Sequence, residues 1–269
     1  MGHLDLGWLT SLEIANATHL PTIDWPFEVR DYADAPPSPE WVHLPEVADA
    51  VREASLPRLS RLALDGCGVD DVGLEALVRW PPIARLRALS VASERIGSRG
   101  LRAITDGKHL EALQSLAVAG CELTVPVTEA FGRARRLGAL RALRLTGDRV
   151  LEGPERVGPA LVAGVEGLPS LRVLDLSGRP VGDAVVRIAE DPGLSRLTEL
   201  ALARSAVGDR GAMALAQSPH ADGLERLDLR GHGGNGSTAA SLRNRYGPEA
   251  AAALIDRFGH RVALLDERP

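Results

Sequence analysis

Residues 113–118 read Leu113-Gln114-Ser115-Leu116-Ala117-Val118, and this arrangement of apolar positions occurs seven times along the chain. In each copy, apolar residues stand at the first, fourth and sixth positions. The central leucines of successive copies are 27, 27, 27, 31, 26 and 27 residues apart. A nearly constant period of this length predicts a solenoid, in which similar units stack side by side. The seven copies are Leu59/Leu62/Leu64, Leu86/Leu89/Val91, Leu113/Leu116/Val118, Leu140/Leu143/Leu145, Leu171/Leu174/Leu176, Leu197/Leu200/Leu202 and Leu224/Leu227/Leu229.

A second ladder of residues lies between these copies, in pairs that are three positions apart. Spacing of three places side chains on one face of a helix, whereas alternation of apolar residues is typical of a strand. Each repeat is therefore predicted to contain one short strand, a turn and one helix. Neither element can bury its apolar face alone, so neighbouring repeats must pack together. The pairs are Leu74/Leu77, Leu101/Ile104, Thr128/Phe131, Gly158/Leu161, Val185/Ile188 and Ala212/Leu215.

With these features the chain resembles the leucine-rich repeat family. The period of about 27 residues and the Val-Gly-Asp openings at residues 181–183 and 207–209 are similar to those of its ribonuclease-inhibitor-like branch. The resemblance implies an α/β fold, a horseshoe-shaped solenoid with a concave parallel β-sheet and convex helices. It also implies a binding protein, because solenoids of this kind present an extended concave surface.

The chain departs from the family at the ladder position, three residues after the last apolar residue of each copy. Asn or Cys is usual there, and only Cys67 and Cys121 match. We therefore expect other groups to supply the hydrogen bonds of that turn. The ladder positions are Cys67, Glu94, Cys121, Asp148, Arg179, Ser205 and His232.

Three regions are predicted along the chain. Residues 1–55 form an N-terminal cap with one degenerate repeat around Leu12 and a proline-rich loop at 35–39. Residues 56–236 hold the seven repeats, and residues 237–269 form a C-terminal cap. In this second cap we expect a helix from Pro248 to Phe258 and a closing strand within 260–264.

Composition limits the classes of partner. The net charge of −5 gives no general attraction to nucleic acid or to an anionic membrane surface. No apolar run approaches the roughly 18 residues of a membrane helix, and no leader segment is recognisable at the N-terminus. Lys108 is the only lysine among 31 basic residues, which we interpret as the codon usage of a GC-rich, bacterial genome.

The two cysteines are predicted to be structural thiols. Cys67 and Cys121 occupy equivalent positions two repeats apart, and parallel strands are about 4.8 Å apart, so these residues should be roughly 10 Å apart. A disulfide requires Cα atoms within about 7 Å of each other. Buried, reduced thiols indicate a cytoplasmic location.

No pattern predicts catalysis, a metal site or a cofactor. The seven histidines lack ligand-like spacing, and no Gly-x-Ser-x-Gly nucleophile motif occurs. Gly231, Gly233 and Gly236 match a dinucleotide-binding pattern, but the preceding strand belongs to a repeat, so we interpret them as the exit from the last repeat.

Two groups of charged residues are also interpreted as structural. The aspartates at helix starts should favour the helix N-termini electrostatically, and the arginine run from Arg133 to Arg144 should be a solvated face. The aspartates are Asp70, Asp71, Asp183 and Asp209.

The concave face remains as the candidate site. Residues on either side of the last apolar position in each copy point away from the core; they are small in the early repeats and charged in the later ones. We interpret the protein as a non-catalytic module that binds a partner protein through this face. An ordinary solvated surface, a regulator of a small GTPase or other enzyme, and a recognition fragment of a larger effector are the alternatives. The candidate residues are Ala63, Asp65, Ser90, Ala92, Ala117, Ala119, Arg144, Thr146, Asp175, Ser177, Asp228 and Arg230, with Ala201 and Ala203 at the equivalent positions of one intervening copy.

Overall fold

A computed structural model describes residues 59–65, 69–92, 95–121, 124–147, 159–160, 162–163, 167–231 and 242–264, and the backbone of 11–13. Within these ranges, the strands form one parallel sheet of nine strands in chain order. One strand per repeat and the parallel order confirm the predicted solenoid. The strands are β1 Ser11–Glu13, β2 Arg61–Asp65, β3 Ala88–Ala92, β4 Ser115–Ala119, β5 Ala142–Thr146, β6 Val173–Asp175, β7 Glu199–Ala201, β8 Arg226–Asp228 and β9 Val262–Ala263.

The central leucines set the register of this sheet. Leu116 lies opposite Leu89 on β3 and Leu143 on β5, and the same pairing continues through the repeats. These three side chains are fully buried, since none retains measurable exposure. The predicted earlier copy is also a strand, because Leu12 pairs with Leu62. The limits of the three predicted regions stay predictions.

The second ladder lies on helices that pack against the sheet. Leu74 and Leu77 lie on the first of these helices and are buried to within 1%. The prediction is confirmed for the four pairs whose side chains are both described. Gly158 and Leu161 lie outside the described residues, and so does the side chain of Thr128. The helices are α1 Asp71–Val78, α2 Ser98–Asp106, α3 Val125–Arg133, α4 Val185–Glu190, α5 Asp209–Gln217 and α6 Pro248–Phe258, and residues 159–160 and 162–163 are also helical.

The aspartates at the helix starts act in two ways. Asp70 caps its own helix, where Oδ1 accepts a hydrogen bond from the Gly73 amide at 2.8 Å. Asp71 instead accepts hydrogen bonds from the amides of Gly97 and Gly100, both at 2.8 Å, at the start of the next helix. An aspartate at a helix start can therefore cap its own helix or connect its repeat to the next one.

Arg179 supplies the turn hydrogen bonds at a ladder position where the family uses Asn or Cys. Its side chain is buried, and its guanidinium donates to the carbonyls of Leu145 at 3.0 Å, Cys121 at 3.0 Å and Thr146 at 2.6 Å. These acceptors belong to the two preceding repeats. A long side chain with several donors thus hydrogen-bonds to two turns. This agrees with the expectation that groups other than Asn or Cys supply the hydrogen bonds at the ladder position. Cys121 is a buried free thiol, and Cys67 lies outside the described residues.

Asn244 hydrogen-bonds to the turn after β7 and to the residues that follow β8. Its Oδ1 accepts from the amides of Ser205 at 3.0 Å and Val207 at 2.9 Å, and its Nδ2 donates to the Leu202 carbonyl at 2.8 Å. Asn244 therefore supplies hydrogen bonds of the kind expected at a ladder position. The ten residues 232–241, which include His232 and lie outside the described part, separate Asn244 from its strand.

The C-terminal helix and strand continue the solenoid. Helix α6 has the predicted limits, and β9 pairs with β8 in parallel. The amide of Gly247, just before α6, donates to Asp209 Oδ1 at 2.6 Å, which repeats the contact between Asp71 and the following helix.

Candidate functional site

Three rows of side chains cross the concave side of the sheet, because alternate residues of a strand point to the same face. The register aligns equivalent residues of neighbouring strands within each row. The first row contains Arg61, Ala88, Ser115, Ala142, Val173, Glu199 and Arg226. The middle row contains Ala63, Ser90, Ala117, Arg144, Asp175, Ala201 and Asp228. The third contains Asp65, Ala92, Ala119 and Thr146, followed beyond the shorter strands by Ser177, Ala203 and Arg230.

Small side chains cover the face over β3, β4 and the first residue of β5. Ser90 is 7% exposed and Ala88 is 9% exposed, so little side chain stands above the backbone. The hydroxyl oxygen of Ser115 is buried and has no hydrogen-bond partner in the structure. A partner could approach this surface closely. We call it the small-residue zone; its members are Ala88, Ser90, Ala92, Ser115, Ala117, Ala119 and Ala142.

Charged side chains occupy the face from β5 to β8. Asp228 and Arg230 form a bidentate pair, with Nη2 to Oδ2 at 2.6 Å and Nε to Oδ1 at 3.0 Å. Because Asp228 and Arg230 already pair with each other, they are less available to contact another protein than two separate charges would be. We call this surface the charged zone; its members are Arg144, Asp175, Glu199, Arg226, Asp228 and Arg230.

Asp175 differs from the sequence-based expectation of a charge on the open surface, since only 3% of it is exposed. Its Oδ1 accepts a hydrogen bond from the Ser177 amide at 2.9 Å. Burial raises the pKa of this carboxyl, and the Ser177 hydrogen bonds and the neighbouring Arg144 charge oppose the rise. Spacing predicts the face on which a residue lies, but the side chains around it determine its exposure.

Glu199 is a charged concave residue that sequence reasoning missed. It lies in the first row, between Val173 on β6 and Arg226 on β8. Burial raises its pKa, while the positive charges of Arg226 and Arg144 act in the opposite direction. Strand alternation could have found it, because the residue before each central leucine also points away from the core.

Within the described residues, the other sequence candidates do not assemble into a second site. In the arginine run, Arg133 pairs with Glu129 at 3.0 Å and Arg136 pairs with Glu111. Gly231 packs against Asn244, where an added Cβ would lie 2.9 Å from the Asn244 carbonyl oxygen. The other two glycines of that motif, at 233 and 236, lie outside the described residues.

The described residues suit neither a metal ion nor a membrane span. No group of three or more His, Cys, Asp or Glu side chains there could hold a metal ion. None of the described helices is both long enough and apolar enough to cross a bilayer. A groove on the convex side, between α1 and α2, has a volume of about 740 Å³. Glu75 and Arg99 pair along it, with Oε1 to Nε at 2.5 Å.

Sequence comparison with a protein-family model agrees with this architecture. A family model described as "Leucine Rich repeat" matches residues 57–78 and 194–216. No curated protein matches the chain. An internalin (InlF) from Listeria monocytogenes str. 4b F2365 is similar in structure at 15% identity and a TM-score of 0.46, over 85% of this chain and 52% of the internalin. The TLR13–ssRNA13 complex is similar at 16% identity and a TM-score of 0.39, over 78% of this chain and 32% of that one.

This chain therefore spans about half the length of the internalin and about a third of that of TLR13. The two matched segments contain β2 with α1 and β7 with α5, which are equivalent parts of the first and sixth copies. The leucine spacing, the two segments that the family model matches and the parallel sheet lead to one conclusion. The protein is built from leucine-rich repeats and folds as a leucine-rich repeat solenoid.

Proposed function

We propose that this protein is a non-catalytic module that binds a partner protein through its concave face. The observation that supports this function is the division of one continuous sheet face into the small-residue zone and the charged zone. Solenoids commonly bind partners on such extended surfaces. A flat region without long side chains permits close packing, and adjacent charges of both signs restrict how a partner can be oriented.

The two zones would contribute differently to binding. Within the small-residue zone, Ala117 is in the middle row of the central strand β4, with Ser90 on one side and Arg144 on the other. A long side chain at Ala117 would keep a partner away from the backbone. Charges at the edge of an interface mainly alter the rate of association and its salt dependence.

The test is affinity capture from the source organism with three forms of the full chain. Wild type, Ala117→Arg and Arg210→Glu are immobilised at equal amounts, and bound proteins are quantified by mass spectrometry. Arg210 is the matched control because it is exposed on the convex helix α5. We expect a protein that wild type and Arg210→Glu retain equally and that Ala117→Arg loses by about tenfold or more.

The reverse result would contradict the proposal. If the proteins retained by wild type bind Ala117→Arg unchanged and are lost with Arg210→Glu, the convex side is the binding surface. Circular dichroism of all three forms checks that the substitutions leave the fold intact.

The finer family assignment and the compartment also remain proposals. The period of about 27 residues and the convex α-helices support the ribonuclease-inhibitor-like branch, and the arginine-rich composition supports a bacterial origin. The buried free thiol of Cys121 is consistent with a cytoplasmic location.

A further inference from the structure

The groove between α1 and α2 has a volume of about 740 Å³, which is within the range of ligand-binding clefts. At the N-terminal ends of these helices, the Asp71 carboxylate accepts hydrogen bonds from the amides of Gly97 and Gly100, both at 2.8 Å, and holds the helices together. Beyond this contact, Val78 and Ala103 provide an apolar base. We call this space the convex groove.

The corresponding space between α5 and α6 is crossed by one of the chain's own side chains. Arg257 of α6 donates hydrogen bonds to the Ser218 carbonyl at 3.3 Å and to Asp222 Oδ1 at 2.5 Å, and both acceptors lie beyond the end of α5. Arg257 is the tenth residue counted from the start of α6, and Gly107 is the tenth counted from the start of α2. Glycine has no side chain that could cross the gap, so the convex groove stays open.

Positive charge is in excess in the lining of the convex groove. Four lining residues are arginine or lysine and two are carboxylates, which leaves an excess of two positive charges in a chain whose net charge is −5. Glu75 pairs with Arg99, with Oε1 to Nε at 2.5 Å, and with Arg79 at 3.7 Å. Arg102 and Lys108 are exposed and form no ion pair with the residues that the structure describes. A carboxylate that entered the groove would therefore meet two available cations.

We propose that the convex groove binds an acidic segment of a partner protein. Arg102 and Lys108 contact carboxylates of this segment, and an apolar side chain between them packs on Val78 and Ala103. An arginine guanidinium can donate two parallel hydrogen bonds to one carboxylate, and a lysine ammonium can donate to a second. The groove lies on the opposite side of the repeats from the concave face, so this inference goes beyond the proposed function and does not depend on it.

Other occupants match the convex groove less well. A basic side chain would lack the acid that Arg257 contacts, because Ala84 corresponds to Asp222; each lies two residues before the first leucine of a copy. The groove lining, which belongs to the described residues, includes no Phe, Tyr or Trp on which a nucleic-acid base could stack. A small free anion would match the charge but would leave the apolar base in water. A peptide with carboxylates and an apolar residue satisfies both requirements.

The experiment uses the full chain and a random peptide library displayed on phage. The library is selected on wild type and counter-selected on Arg102→Glu, so that the retained peptides require the convex groove. Dissociation constants of the synthesised peptides are measured for wild type, Lys108→Gln and Arg210→Glu. Arg210 is the matched control, because it is an exposed arginine on the convex helix α5, outside the groove. Circular dichroism checks that each variant is folded.

Lys108 also permits a direct test of position, because it is the only lysine in the chain. A reagent that acetylates amines will modify Lys108 and the N-terminal amine, and mass spectrometry follows the two reactions separately. With a retained peptide at about ten times its dissociation constant, acetylation of Lys108 should slow by about tenfold. The reaction of the N-terminal amine should not change.

We expect the retained peptides to share aspartate or glutamate residues beside an apolar residue. Lys108→Gln should weaken their binding by about tenfold, and Arg210→Glu should have no effect. Replacing the shared acidic residues by asparagine or glutamine should make a peptide insensitive to Lys108→Gln, which identifies a direct contact. Affinity should fall as salt is added, because salt screens exposed charges.

Three results would overturn the inference. The counter-selection could leave no peptide; the retained peptides could lack acidic residues; or they could bind Lys108→Gln as tightly as wild type and leave the acetylation of Lys108 unchanged. Each of these results would leave the proposed function standing. That function is tested separately by Ala117→Arg, which lies on the concave face and does not alter the residues of the groove.

Discussion

Strands β2–β5 and strands β6–β8 have the same buried side but different exposed sides. Leucines in one register line the buried side of both sets. Strands β2–β5 are five residues long and, from β3 onward, bear mostly small outward side chains. The later three are only three residues long and bear most of the charged zone. The buried side therefore carries the same leucine pattern throughout, whereas the outward side chains differ between the two sets of strands.

The shorter strands have a local cause in two of the three cases. Strand β6 ends at Asp175 and β8 ends at Asp228, and each aspartate accepts a hydrogen bond from the amide two residues later. Such a side-chain turn competes with the ladder hydrogen bonds of a strand. The same residues thus provide the charges and end the strands. Charge and strand length change together for this reason.

The largest expected effect comes from a change on the shared buried side. Leu143 is fully buried, so Leu143→Asp would place an unpaired carboxylate in the core and lower the free energy of unfolding by about 4 kcal/mol or more. Because each repeat contacts only its neighbours, unfolding should begin around β5. Thermal and urea denaturation measure the loss. The matched control is Ala142→Asp, one residue earlier on the outward side, which should change stability far less.

The leucine and helix ladders in the sequence predict the strands, their order and the helices, because burial permits few residue types at those positions. The role of Asn244 could not be predicted in this way, since an insertion separates it from its strand. The burial of Asp175 depends on the side chains around it and not on spacing. Strand alternation predicts the concave face as a whole. Glu199 is found only when the residue before each central leucine, in the first row, is also counted as pointing away from the core.

The second-largest effect concerns the side chains that hydrogen-bond to the turns. Arg179 serves the turns after β4 and β5, and Asn244 serves the turns after β7 and β8. Arg179→Ala would leave the buried carbonyls of Leu145 and Thr146 without their guanidinium donor, and a cavity would remain. We expect a loss of about 3 kcal/mol. Hydrogen exchange should accelerate in β4 and β5, upstream of the substitution. Asn244→Ala is the counterpart, and it should accelerate exchange near Ser205 and Leu229 instead. Equal exchange patterns in the two variants would contradict this division.

A third prediction concerns a turn in the upstream half. Gly147 has a φ of 119°, and an added Cβ would lie 2.9 Å from the Gly120 nitrogen. Gly147→Ala should therefore destabilise the protein by about 2 kcal/mol. Gly138 has an ordinary helical conformation, with φ −60°, and its nearest neighbour would be 3.5 Å from an added Cβ. Gly138→Ala should be neutral or slightly stabilising, by about 0.5 kcal/mol. Urea denaturation of both variants measures the contrast.

A smaller effect should depend on pH and arise in the downstream half. Burial raises the pKa of Asp175 in the folded state, so folding favours its protonated form. Between the ordinary and the raised pKa, stability should therefore increase as pH falls and decrease as pH rises. Asp175→Asn keeps an acceptor for the Ser177 amide and removes the ionisation. We expect it to raise stability at neutral pH by on the order of 1 kcal/mol and to flatten the pH dependence.

Thermal denaturation from mildly acidic to neutral pH measures this difference. Asp106→Asn, at an exposed position on α2, is the control and should leave the dependence unchanged. An Asp175→Asn variant that is less stable than wild type at neutral pH would show that the Arg144 charge outweighs burial at this position.

The smallest expected effect concerns the left-handed turn after β7. Upstream, Gly120, Gly147 and Gly178 have positive φ, but here Arg204 has φ 52° and Ala206 has φ 58°. A left-handed alanine is disfavoured by about 1 kcal/mol, and the extra freedom of glycine in the unfolded chain offsets part of any relief. Ala206→Gly should therefore stabilise the protein by about 0.5 kcal/mol. Urea denaturation at high precision measures the change, and a loss would mean that the Ala206 methyl contributes packing that outweighs the backbone strain.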